Sequence, residues 1–321
     1  MSDKKLITID CEYLKPKFAA AYLRVDRSGE KPRALFVENN TAHAVPLLLR
    51  ALAEEGLTPD QVEYLIITHV HFDHAGGTSE LMKVCPNAQL LAHPKAAPHM
   101  IDPSRLVASA REVYGDAVFD QLYGTVGPVP ADRVRVMADG EELAFGATKL
   151  RFIYTRGHAN HHFCVFDSEL EAIFTGDSFG LAYPALQPCG LFIFPSTSPT
   201  GYHAVEAKLS IDKILNSGAR RAFLTHYGEV TDLPAAAAQL RADLDFSETL
   251  QKKGREIYLQ KNVPETEHEL TELFINELHD YYRGRIQKLG LKDSPEVWDL
   301  LKLDLDLNAS GIAFTCKPKT A

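Results

Sequence analysis

The sequence predicts an α/β protein in two β-rich halves, each carrying helices, followed by a helical appendage. Three observations lead there. Runs rich in β-branched and aromatic residues fill most of the first two thirds of the chain, segments of helical periodicity interrupt them, and beyond Pro234 the composition turns to helix formers. The expected division is an α/β domain over residues 1–233 and a C-terminal helical extension, 234–321, packed on it.

In order, LITIDCEYL, AAAYLRVD and ALFVENN read as strands, with the polar breaks KPKF and RSGEKPR as turns. The segment AHAVPLLLRALAEEGL has apolar residues at helical spacing and stops at Gly56. YLIITHVH follows as a strand, TSELMKVC as a helix with Thr78 as its N-cap, and AQLLAHP as a strand. Ser104 to Tyr123 is helical, after which RVRVMADG, EELAFGATKLRFIYT, HHFCVFDSELEAIFTGD and RRAFLTHYG supply a second set of strands. Three helices close the chain, with Leu270, Leu273, Phe274 and Leu278 as core positions of the middle one.

The 321 residues, 45% hydrophobic and 24% charged, suffice for a substantial core. A formal net charge of -9, with no lysine and arginine cluster near the histidines described below, disfavours nucleic acid as a partner. No apolar run approaches the ~20 residues that cross a bilayer, and MSDKKLITID lacks a signal peptide's apolar core, so a cytoplasmic protein without a membrane partner is expected. Five scattered cysteines with no CxxC pair read as reduced thiols. Cys189, in the loop QPCG, is the one placed to line a site.

The chemistry concentrates in THVHFDHAGG, Thr68 to Gly77. Three histidines and an aspartate between His69 and His74 are costly to desolvate together and repel one another when protonated; a bound cation removes both difficulties. His69 and His71, two apart at the end of a strand, face one side and reach one ion; Asp73 and His74 turn with the loop toward a neighbouring ion. Gly76 and Gly77 let the backbone pass close by. Such nitrogen and oxygen donors suit zinc, iron or manganese. Three single candidates follow at the ends of strand-like runs: His158 in TRGHANHH, Asp177 in FTGDSFG and His226 in LTHYG.

The order HxHxDH, GHA, GD and TH in these contexts resembles the metallo-beta-lactamase fold superfamily over roughly Leu6 to Val230. The resemblance implies a four-layer αβ/βα sandwich with metals at one edge. It implies that His69, His71 and His158 hold a first metal, that Asp73, His74 and His226 hold a second, and that Asp177 bridges them. Two divalent ions, zinc first among the candidates, then give a bridging water that loses its proton near neutral pH. Hydrolysis is the implied chemistry, with Asp73 or a metal-bound water passing the proton to the leaving group.

Around these residues, His162 falls where family members carry another histidine or serine and is a candidate to orient a ligand, whereas His161 is assigned a structural role. Arg156 stands where the family usually has proline, which changes the stiffness of the loop and offers a cation near the site. His93 and His99 read as exposed loop histidines. Tyr183 is the preferred hydrogen-bond donor to an oxyanion, ahead of Tyr227, because the aromatic, charge-poor segment 180–199 reads as a pocket wall or lid.

Within the resembled family, the chain lacks the CGHEY-like segment of glyoxalase II and the extra motifs of nucleases. It has His71 where flavodiiron proteins have glutamate. The expected substrate is a small, largely apolar ester, lactone or thioester. The alternatives are a diiron redox or gas-binding protein, a phosphodiesterase, and a noncatalytic metal-stabilised module; a homodimer is weighed equally with a monomer.

Overall fold

The computed structural model describes residues 4–198, 200–261 and 266–317. Twelve strands form two six-stranded mixed sheets among these residues. The first runs in sequence order through β1 (Lys4–Asp10), β2 (Ala20–Asp26), β3 (Arg33–Val37), β4 (Val62–Ile66), β5 (Gln89–Ala92) and β6 (Val134–Val136). The second contains β7 (Glu142–Phe145), β8 (Thr148–Tyr154), β9 (Phe163–Asp167), β10 (Ala172–Gly176), β11 (Arg221–Leu224) and β12 (Gly228–Val230). Pairing is antiparallel except along β3-β4-β5-β6 and between β10 and β11.

Two compact units divide the chain. The first comprises 1–154, 161–176 and 216–231 and holds both sheets, with helices α1 (Val45–Glu54), α2 (Phe72–Ala75), α3 (Thr78–Val84), α4 (Ala97–Ile101), α5 (Ser104–Tyr114) and α6 (Asp116–Tyr123). The second comprises 155–160, 177–215 and 232–321 and holds α7 (Ala204–Leu215), α8 (Leu233–Lys261), α9 (Thr266–Leu289) and α10 (Pro295–Phe314). The expected α/β sandwich and helical C-terminal stretch are both present. No helix among the described residues is long and apolar enough to cross a membrane.

Alternation along β2 shows how the sandwich is filled. Ala20 and Tyr22 face the space between the sheets, where they join Phe145, Phe152, Phe163, Phe174 and Phe223; Ala21, Leu23 and Val25 face a second core shared with Leu48 and Leu52 of α1. Both faces of β2 are covered, so all seven of its residues are buried. Arg24 shares the inward parity of Ala20 and Tyr22, and its guanidinium meets Asp167 of β9 at 3.0 Å with both side chains at most 1% exposed. It also donates to the Val25 carbonyl at 2.8 Å and pairs with Glu169. Asp167 accepts in addition from Thr148 Oγ1, Glu169 N and Leu170 N, so the buried charges are fully engaged.

Several expected elements shift. β4 ends at Ile66, before the histidines, because Thr68 turns its amide to a carboxylate rather than to a strand. Thr78 is the first residue of α3, and its hydroxyl donates to the Ala75 carbonyl instead of capping. The helical stretch from Ser104 breaks at Gly115, which holds φ +79° between α5 and α6. Of the two readings of segment 180–198, pocket wall is the one the structure carries: Gly180, Pro195 and Ser196 line a small cavity, while Leu181, Tyr183, Leu186, Phe192, Ile193 and Phe194 are buried and Arg285 and Gln239 donate to the Ile193 and Leu191 carbonyls. Pro199 lies outside the described residues. In the C-terminal helices Leu270, Phe274 and Leu278 are buried and Leu273 half-buried.

Arg24→Ala would strand Asp167 between the sheets. A loss of ~3–5 kcal/mol is expected, the range for removing one partner of a buried ion pair, and urea unfolding measures it. A loss below about 1 kcal/mol would show that Asp167 is satisfied without the guanidinium.

Candidate metal centre

The parallel strands end where the chemistry begins. Glu38 follows β3, Thr68 and His69 follow β4, and Thr225 and His226 follow β11. Loops beyond the carboxyl ends of parallel strands carry side chains that no ladder occupies. The histidine loop runs from the end of β4 into α2, so His69 and His71 precede a short helix that carries Asp73 and His74. It can lie this close to the β3 end because Gly77 has no side chain: a Cβ there would sit 2.7 Å from the Thr41 carbonyl oxygen.

In the first unit, His69 and His71 have ring centroids 4.4 Å apart, and His69 and His74 4.0 Å apart. The His226 Nε2 lies 3.3 Å from Asp73 Oδ2, and the His74 Nε2 lies 3.9 Å from the same oxygen. One ligand atom from each of Asp73, His74 and His226 falls within 4.8 Å of the other two. His69, His74 and His226 are buried and Asp73 is partly exposed. In the second unit, His158 Nε2 lies 3.6 Å from Asp177 Oδ2, both side chains buried. Arg156, His158, Asp177 and Ser178 line one small cavity, with Gly180, Pro195 and Ser196 as its wall.

Each of three first-unit histidines has its Nδ1 committed elsewhere. His74 Nδ1 is 3.2 Å from Glu38 Oε1, and His226 Nδ1 is 2.8 Å from the Phe18 carbonyl. Carboxylate and carbonyl oxygens only accept, so these Nδ1 atoms carry the proton and Nε2 keeps the lone pair. His69 Nδ1 is 3.0 Å from Thr68 Oγ1, whose own proton is donated to Glu38. The hydroxyl can then only accept from His69, which leaves that Nε2 with its lone pair as well. Second partners of this kind are what hold metal-ligating histidines in one tautomer. The donor set of three imidazole nitrogens and a carboxylate therefore fits a divalent transition metal.

Glu38 is the residue that sequence reasoning missed. It is 1% exposed and accepts from Thr68 N at 3.3 Å, from Thr68 Oγ1, from His74 Nδ1 and from Thr225 Oγ1 at 3.4 Å. The signal was present in ALFVENN, where a glutamate closes an otherwise apolar strand. Its oxygens also come within ligand range of His69 and His74, but with four donors converging on them they act as acceptors for the ligands.

The remaining candidates fall as follows. His162 is fully buried with its ring 4.9 Å from His69, and a Cβ on Gly176 would come within 2.5 Å of its Nε2. His161 stacks at 6.0 Å on His69, and burial, then the charges of His71, His99 and His93, push its imidazole down to about 3. His93 is a correction: it is 4% exposed, packed at 4.2 Å on Tyr154, and accepts from Lys95 N. His99 is half-buried. Tyr183 is 1% exposed with its ring 6.0 Å from Phe194, and Tyr227 is half-buried against the inter-sheet core. Cys189 is exposed with its thiol on the Gly290 carbonyl, and the other four cysteines are buried thiols outside any disulfide.

An aromatic group borders the Asp73 side. Phe18 meets the His226 ring edge-on at 5.9 Å and Tyr13 at 6.3 Å; Phe72 packs on Tyr123 at 5.2 Å and on Phe119 at 5.5 Å. Burial, then the Asp73 charge, holds the Tyr13 and Tyr123 phenols above their usual range.

A model of the metallo-beta-lactamase superfamily matches residues 30–226. A metallo-beta-lactamase fold-containing protein of Sulfurisphaera tokodaii is 31% identical over 144 residues, 44% of this chain and 51% of that one. A hydroxyacylglutathione hydrolase-like protein of Gallus gallus is 28% identical over 50% of this chain and 46% of its own. The chain thus spans about half the length of these relatives. A solved metallo-beta-lactamase family protein of Thermus thermophilus shares the fold over 98% of this chain and 91% of its own, with a TM-score of 0.61 and 20% identity.

Glu38→Ala is expected to weaken metal binding by ~10–100-fold, as loss of an outer-shell partner does, and competition against a chromophoric chelator reads it. Unchanged affinity in a folded variant would mean that the carboxylate does not orient the ligands.

Proposed function

Since the chain belongs to the metallo-beta-lactamase superfamily, we propose that it is a hydrolase dependent on two divalent metal ions, cleaving a small ester, lactone or thioester. The observation that carries this reading is the set of three imidazoles whose Nδ1 atoms are all bonded, leaving three Nε2 lone pairs, of which those of His74 and His226 lie beside the Asp73 carboxylate. A site built only for stability has no need of a carboxylate left partly open to solvent next to its ligands.

His69, His71, Asp73, His74 and His226 would hold the ions, with His158 and Asp177 the ligands that the GHA and GD motifs add. Zinc suits these donors, and iron or manganese does too. When bound, such ions lend Lewis acidity and bring the pKa of water near neutrality. The chain's own residues then place the acyl group and manage protons. Asp73, whose carboxylate is partly exposed, accepts a proton from the attacking water and returns it to the leaving atom. Tyr183 is the candidate donor to the carbonyl oxygen as it gains charge.

The carbonyl substrate class is supported by the hydroxyacylglutathione hydrolase-like relative and by a 26% identical atrochrysone carboxyl ACP thioesterase of Aspergillus fumigatus, both named for acyl thioester chemistry. Neither matches over more than half of its length.

Purified protein loaded with zinc, iron or manganese in turn should hydrolyse members of an ester, lactone and thioester panel, lose the activity to a chelator and regain it with metal. Asp177→Ala should lower both turnover and metal content while remaining folded. Hydrolysis that persists after complete metal removal, or that Asp177→Ala leaves unchanged, would overturn the reading.

A further inference from the structure

The candidate ligand His158 is oriented by a carbonyl that lies in no strand or helix. Its Nδ1 is 3.4 Å from the Ser196 carbonyl oxygen. That oxygen only accepts, so Nδ1 carries the proton and Nε2 keeps the lone pair. The same Nε2 is 3.6 Å from Asp177 Oδ2, beyond hydrogen-bond length. Outside a ladder, a carbonyl points where its peptide plane is held, so what holds the Ser196 peptide also decides how His158 presents its lone pair.

One residue of α10 holds it from both sides. Asn308 Nδ2 donates to the Pro195 carbonyl at 2.9 Å, Asn308 Oδ1 accepts from Thr197 N at 2.7 Å, and the Asn308 carbonyl accepts from Thr197 Oγ1 at 3.1 Å. A carbonyl cannot donate and a backbone N–H cannot accept, so the orientation of the Asn308 amide is fixed. Thr197 N and the Ser196 carbonyl belong to one peptide unit, and in a planar trans unit N–H and C=O point in opposite directions. Asn308 therefore grips one edge of the plane whose other edge faces His158. Asn308 and Thr197 are 3% and 2% exposed, so water does not compete for these bonds. The helix comes this close because Gly311, one turn on, has no side chain: a Cβ there would lie 1.7 Å from the Thr197 carbonyl oxygen.

On the metal-dependent reading above, we propose that Asn308 is a positioning residue of the metal centre: through the Ser196 peptide it keeps the His158 proton on Nδ1 and the lone pair on Nε2, on the side of Asp177. The helix that the sequence reads as part of an appendage then helps to set the affinity for the ion that His158 holds. Without the Asn308 amide the Ser196–Thr197 peptide turns, the bond to Nδ1 is lost, and the imidazole samples both tautomers. One of these has its proton on Nε2 and cannot bind metal there. A role confined to packing α10 would cost stability and leave the tautomer as it is.

The test compares wild type, Asn308→Ala and Thr197→Val, each checked for folding by circular dichroism. Nitrogen NMR of isotope-labelled histidine in the metal-free protein reads the tautomer at mildly alkaline pH, where the ring is neutral, and His158→Asn identifies the His158 signals. Zinc affinity is read by competition against a chromophoric chelator. Wild type should carry the His158 proton on Nδ1. Asn308→Ala should show a mixture of tautomers and bind one zinc ion about tenfold more weakly, the lower end of the effect of losing an outer partner. Thr197→Val keeps the side chain's shape and removes only the hydroxyl bond; it should move both readouts the same way by less, and it decides the matter if Asn308→Ala does not fold. A folded variant whose tautomer and zinc affinity are unchanged, whatever its stability, would overturn the assignment. His158→Asn that binds zinc as wild type does would overturn it together with the ligand role of His158. Both readouts are taken without substrate, so a failure of the hydrolase reading leaves them to decide the assignment.

Discussion

The carboxylate of Glu38 is the constraint on which the arrangement of ligands depends. Buried at the end of β3, it accepts from the backbone and hydroxyl of Thr68, from His74 Nδ1 and from Thr225 Oγ1. A buried carboxylate is costly unless its oxygens are filled, and here the donors that fill them belong to the residues whose orientation matters. His74 is fixed directly and His69 through Thr68, so one charge sets two tautomers. Thr225 ties the neighbouring position, His226, to the same point.

Sheet topology delivers these groups together. The strands that run parallel, β3 with β4 and β10 with β11, end in Glu38, the Thr68 loop and the Thr225 loop. The aromatic core between the sheets and the Arg24 to Asp167 pair hold the two sheets against each other, so the loops start from fixed points. The connection after β1 adds the Phe18 carbonyl, at the cost of three left-handed residues. Strain there and the buried charge of Glu38 are both offset by the packed sandwich beneath them.

Much of this was legible in the sequence. The α/β halves, the helical C-terminal stretch and the crowding of His69, His71, Asp73 and His74 follow from periodicity and from the repulsion of like groups. His226 was legible only as a member of a set, because one histidine after an apolar run has bland explanations. Glu38 was legible only as a glutamate closing an apolar strand; its role was not, since it acts through residues distant in sequence, Thr68, His74 and Thr225. His93 looked like a loop histidine because its burial comes from Tyr154, sixty-one positions on. The aromatic segment 180–199 read as a pocket wall or lid without a choice between them, because residues that hold its backbone, Gln239 and Arg285, lie far downstream.

The central claim is that these side chains are arranged to bind metal rather than to satisfy one another. The most direct test is metal content by inductively coupled plasma mass spectrometry on protein purified without added metal, alongside its visible spectrum. The account predicts about two transition-metal ions per chain, bound through imidazole and carboxylate donors. Protein that is folded, carries only background metal and takes up none on dialysis against zinc, iron or manganese would contradict it.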